Sequence, residues 1–196
     1  MSIGVLHGGE LALQRLVDYH EAKANFLVLD VTETELDALL NDERPHFKKL
    51  QRCVAKMEMN GKESMAVTKL EAAVREAHLK GKPHEAYELE MLLVETLIYQ
   101  GEFNKALSYK CLKDEFITDA RRPLYKAIIY LSLRYPEQEA KNWWEEFKRL
   151  RKEMKRSGNV QDAQLLEIGT NFIRFKSVVI SLGEDIQEFK KESPKI

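Results

Sequence analysis

The stretch Gly61-Lys62-Glu63-Ser64-Met65-Ala66 returns in outline as Gly81-Lys82-Pro83-His84-Glu85-Ala86 and again as Gly101-Glu102-Phe103-Asn104-Lys105-Ala106. Each glycine follows its predecessor by 20 residues. A glycine just past a helix end supplies the left-handed residue that closes the helix, because it has no Cβ to strike the following carbonyl. A small residue five positions later lets the next helix return close against the last. Twenty residues is about one helix plus a tight turn, so consecutive helices are expected to pack as antiparallel hairpins.

Outward from this core the same periodicity holds. Leu13, Leu16, Val17, His20 and Ala24, then Phe47, Leu50, Val54 and Met57, fall three and four apart, which puts one apolar stripe on one helix face. The strand-like run Phe26 to Val31 stands alone, and a lone strand leaves its backbone groups unpaired, so it reads as the end of a helix. Thr32-Glu33-Thr34-Glu35 has the spacing of a capping box at a helix start. Pro45, Pro83 and Pro136 each precede a periodic segment, where proline's missing amide proton costs nothing. Helices are expected at 9–29, 33–41, 45–60, 64–80, 84–100, 103–114, 119–134, 136–156 and 160–182. The expected fold is all-α, about nine helices in one domain spanning 1–196. It comprises N-terminal helices over 9–41, hairpins over 45–156, a capping helix over 160–182 and a tail over 183–196.

A second spacing, Leu97, Gly101 and Ala106 against Leu131, Tyr135 and Ala140, recurs at 34 residues. Aligned on the alanine, Leu50, Cys53, Val54, Met57, Gly61, Ala66, Leu70 and Ala73 match Leu93, Val94, Leu97, Gly101 and Ala106. They also match Leu124, Ala127, Ile128, Leu131, Ala140, Trp144 and Phe147. This pattern resembles the tetratricopeptide repeat over roughly residues 45 to 155, with Val54, Val94 and Ile128 where that family carries a small residue. The resemblance implies a TPR-like array of stacked antiparallel hairpins with a concave face for another protein.

Composition narrows the function classes. Among 196 residues, 31 Lys and Arg stand against 32 Asp and Glu, a formal charge of −1. That near-balance disfavours nonspecific polyanion binding, which rests on a surplus of cations. At 44% apolar residues, with 9 Gly and 5 Pro, the chain is too hydrophobic and too poor in helix breakers for disorder. The 2 cysteines form no CxxC pair and no glycosylation sequon occurs, so a reducing compartment is expected. The most apolar run, Leu124 to Leu133, is too short to span a bilayer, and residues 1–9 lack the basic and apolar regions of a secretory signal. The expected location is the cytoplasm, or an organelle interior such as the chloroplast stroma if a transit peptide has been removed.

Motifs for small-molecule chemistry are missing. There is no P-loop, no Gly-x-Gly-x-x-Gly after a strand and no Gly-x-Ser-x-Gly elbow. Glu43-Arg44-Pro45-His46 is a single Glu-x-x-His unit where di-iron bundles need two, and His84 with Glu88 supplies two ligands where zinc wants three or four. Both pairs read as solvated side chains. Cys53 and Cys111 fall where a small buried residue is expected. No cofactor, metal or catalytic residue is expected.

One segment points to a partner. Trp143 and Trp144 lead into Lys148, Arg149, Arg151, Lys152, Lys155 and Arg156, six cations against the single acid Glu153, or 6 − 1 = +5. Adjacent residues sit about 100° apart on a helix, so one tryptophan is expected in the core and the other at the stripe's edge. These eight residues are the candidate partner-binding set, an aromatic anchor with cations that would steer an acidic partner. The expected function is a non-catalytic adaptor or assembly factor, a chaperone-like scaffold that presents a helical groove to a protein helix or an extended peptide. The alternative is an RNA-binding helical repeat protein that uses residues 148–156.

Overall fold

The computed structural model describes residues 9–24, 33–43, 45–154 and 168–192, and every regular element among them is helical. In chain order these are α1 (Glu10–Ala24), α2 (Glu33–Leu40), α3 (Phe47–Met59), α4 (Glu63–Leu79), α5 (Pro83–Tyr99), α6 (Phe103–Ser108), a 3-10 turn (Lys110–Leu112), α7 (Arg121–Ser132), α8 (Glu137–Met154) and α9 (Phe172–Glu192). The all-α expectation holds. The strand-like run 26–31, Thr32 of the capping box and residues 160–167 of the expected last helix lie outside the described residues.

The chain divides into two compact units. The first, residues 26–102, contains α2 to α5. Here α4 packs on α5, and α3 packs on both. Leu50, Cys53, Val54 and Met57 of α3 are buried, an i, i+3, i+4, i+7 stripe. Leu70 and Val74 of α4 and Leu89, Leu93 and Leu97 of α5 complete this core. Ala66 and Ala86, each five residues past a turn glycine, are fully buried.

The turns that join these helices are closed as the glycine spacing requires. Gly61, Gly81 and Gly101 have φ of +68°, +65° and +76°. At each, the glycine N–H donates to the carbonyl three residues back and the next N–H donates five residues back. In the α4–α5 turn these bonds are Gly81 to His78 at 3.1 Å and Lys82 to Ala77 at 2.9 Å. This is the Schellman arrangement, which satisfies carbonyls that a helix end leaves free.

The second unit, residues 1–25 with 103–196, contains α1 and α6 to α9. Its centre is α7, which packs on α6, α8 and α9, with α1 against α9. Leu13 and Leu16, Leu124 and Ile128, Phe147 and Phe175 fill the core. The α7–α8 turn repeats the Schellman bonds with a different residue. Arg134 takes the left-handed position at φ +58°, donating to Leu131 at 3.1 Å, and Tyr135 donates to Tyr130 at 3.0 Å. The 34-residue spacing places Tyr135 opposite Gly101, one position past the residue that turns.

Two expected boundaries are corrected in this unit. The helix over 103–114 is broken at Tyr109, whose extended backbone (ψ 145°) ends α6 and leaves a 3-10 turn. The capping helix over 160–182 is interrupted at Asn171. The Asn171 Oδ1 accepts the Ile173 and Arg174 amides at 3.0 and 3.2 Å, an N-cap that starts α9 afresh. From there α9 runs to Glu192, so residues 183–192 are helix rather than tail.

Candidate functional site

The aromatic and basic segment lies on α8, and the helix separates its two tryptophans. Trp144 is 1% exposed, with ring centroids 5.4 Å from Phe172 and 6.2 Å from Phe175 of α9. Its Nε1 is buried and has no hydrogen-bond partner among the described residues. Trp143 is half-buried and meets the edge of Tyr130 at 6.4 Å, while Lys126 Nζ sits 4.0 Å over its ring. Burial, and then the nearby Arg122 charge, hold the Lys126 ammonium below the usual lysine range, so it is a packed cation in contact with a ring.

The cations divide by helical position. Lys148 Nζ lies 4.1 Å over the Trp144 ring and pairs with Glu145 at 2.8 Å. Arg149 is exposed and held between Glu146 and Glu153 at 2.6 and 2.7 Å, so much of its charge is answered on its own helix. The hydrogen bond from Arg149 lowers the Glu146 carboxyl below its ordinary value and raises the guanidinium in return. Arg151 is 6% exposed, its guanidinium near the Phe147 ring. Its Nε and Nη2 are buried without partners among the described residues, and burial lowers its pKa against the opposing charge of Glu10. A Cβ on Gly169 would fall on Arg151 Nη1. Lys152 is exposed, and Lys155 and Arg156 lie outside the described residues.

The metal candidates separate as well. Glu43, His46 and His84 are exposed, but Glu88 is 2% exposed, which corrects its reading as a solvated side chain. It shares α5 with buried Glu95, whose two oxygens accept from Gln51 Nε2 at 2.9 and 3.0 Å. No group of three or more His, Cys, Asp or Glu among the described residues is placed to hold a metal ion. Cys53 and Cys111 are buried, and burial, with Glu35 adding to it, pushes the Cys53 thiol up, away from the thiolate form.

A groove of about 630 Å³ runs between α8 and the start of α9. Trp144, Phe172 and Ile173 line it, and Glu137, Lys141, Glu145 and Lys148 edge it. Ile173 is 80% exposed, a large apolar side chain at the rim. Glu137 is bound across to Lys176 of α9 at 2.5 Å. Lys141, Phe172, Ile173 and Lys176 lie outside the candidate set that the sequence marks. Lys141 was legible in principle, because 141, 145, 148 and 152 are one face of α8. The α9 wall was not, since no pattern in residues 168–176 says what they pack against. Among the described residues no helix is long and apolar enough to cross a membrane. No protein-family model matches the chain, and no curated protein and no solved structure matches it either.

Proposed function

We propose that this protein is a non-catalytic, TPR-like adaptor or assembly factor that presents the α8–α9 groove to a protein partner. The observation that carries this reading is the groove itself. It joins a buried indole N–H with no partner among the described residues, an exposed isoleucine and an edge of alternating charge, the mixture of aromatic anchor and polar rim on which protein interfaces are built. A groove between two packed helices is also where bundles and helical arrays accommodate ligands. The alternative, RNA contact through residues 148–156, draws less support. Arg149, though exposed, is engaged by two glutamates, Lys148 is paired with Glu145 and Arg151 is buried, so of that segment's described cations Lys152 is left exposed without an ion-pair partner among the described residues.

The test is affinity capture with the full chain from nuclease-treated native extract. It compares wild type with a variant carrying Lys141→Glu, Lys148→Glu and Lys152→Glu. The expected result is a stoichiometric protein partner that survives nuclease and is lost from the variant. Partners that vanish with nuclease would transfer the reading to RNA. Partners retained undiminished by the variant would remove this groove from the function.

A further inference from the structure

The groove's chemistry narrows the kind of partner it fits. Trp144 lines a groove of mixed polar and apolar character, and its buried N–H has no partner among the described residues; a buried donor left unpaired is costly, so an occupant with a free acceptor gains by reaching it. A helix satisfies its backbone carbonyls internally, whereas an extended peptide carries them free.

Charge selects further. Along the edge, Glu137 is engaged by Lys176 and Glu145 by Lys148. Lys141 on that edge, and Lys152 further along the same face of α8 and beyond the groove's lining, have no ion-pair or hydrogen-bond partner among the described residues, and both are exposed. They stand eleven residues apart on one helix face, about 16 Å along the axis, which two long side chains about four residues apart, and so on one face of an extended chain, can reach. We infer that the α8–α9 groove binds an extended acidic peptide segment of a partner protein. The peptide seats apolar side chains against Phe172 and Ile173, gives a backbone carbonyl to Trp144 Nε1, and places two carboxylates about four residues apart, on one face of the extended chain, on Lys141 and Lys152. A further carboxylate competing with Glu145 would draw Lys148 off the indole and open the way to its N–H. This inference rests on the adaptor reading above and adds the occupant's chemistry to it.

The experiment is fluorescence anisotropy on the full chain. The probes are a labelled extended peptide with two glutamates about four residues apart and leucines between them, the same peptide with both glutamates changed to glutamine, and an oligouridylate. The expected result is saturable binding of the acidic peptide that weakens about tenfold in K141E and in I173E, both exposed positions, with far-ultraviolet circular dichroism unchanged. The glutamine peptide should bind about tenfold more weakly, and the difference should shrink as salt rises. In a Trp143→Phe background, binding should shift the emission of the remaining Trp144. Equal binding to wild type and K141E, the absence of saturable peptide binding, or oligouridylate binding that K141E abolishes would each overturn the inference. If the peptide fails while nuclease-resistant partners are still captured and still lost on reversing the lysines, the occupant is wrong and the adaptor reading stands.

Discussion

The turn after α4 and the turn after α7 make the same pair of hydrogen bonds but place different residues in the left-handed conformation, Gly81 in one and Arg134 in the other. Glycine adopts that conformation without steric cost, whereas an L-residue with a Cβ loses about 1–2 kcal/mol there. At Arg134 the ring of Tyr135 lies 4.9 Å from that of Tyr130 in an edge-on contact, and Tyr130 in turn meets Trp143 of α8. These are the positions, C″ and C3, where a Schellman turn carries its apolar contact. The α4–α5 turn has Lys82 and Ala77 there and no such ring pair. One turn is therefore set by backbone freedom and the other by side-chain packing that offsets backbone strain.

This contrast can be broken from the packing side first. Ala86 and Ala140, each buried where a returning helix begins, should lose about 1–3 kcal/mol on replacement by leucine, because neither contact has room for three more carbons. Thermal unfolding of the two variants reads this, and an unchanged midpoint in Ala86→Leu would refute close approach at that hairpin. Gly81→Ala should cost about 1 kcal/mol through the left-handed backbone alone, since a Cβ there meets nothing within 4 Å. Denaturant titration should show a lower midpoint and an unaltered slope.

Tyr135→Ala sharpens the comparison at the second turn. Losing the edge-on ring contact should cost about 0.5–1.5 kcal/mol, and a double-mutant cycle with Tyr130→Ala should show the two losses to be coupled. The smallest effect is expected from Arg134→Gly. Relief of the left-handed strain, less the extra freedom glycine gives the unfolded chain, should leave a gain of about 0.5 kcal/mol. A loss in that variant would mean that the Arg134 side chain contributes more than its backbone costs.

Legibility differed between these regions for the same reason. The Gly61, Gly81 and Gly101 turns could be read because glycine at a helix end has one common physical use. Arg134 carries no such mark, and the 34-residue spacing pointed to its neighbour Tyr135. The division of labour between Trp143 and Trp144 followed from the 100° step between adjacent helical residues. That Trp144's N–H would find no partner among the described residues did not, because its surroundings include Phe172 and Phe175, some thirty residues further along the chain. The +5 count over residues 148–156 was sound as arithmetic and incomplete as electrostatics, since Glu145 and Glu146 stand just before the segment and Arg151 turns inward.

Local rules were enough for what the sequence determined alone: an all-α chain, most helix positions, the glycine-closed turns and the buried alanines that follow them. Each depends on residues within one turn of helix, where backbone sterics, capping and 3.6-residue periodicity act directly. Tertiary structure decided the rest. It divided the chain into two units, buried Glu88, Glu95 and Arg151, allowed arginine to hold a left-handed turn through a ring contact, and built the α8–α9 groove from segments separated by an intervening stretch of chain. Those outcomes depend on which surfaces meet after the helices form, and a helix's own sequence specifies the face it will bury without specifying the partner that buries it.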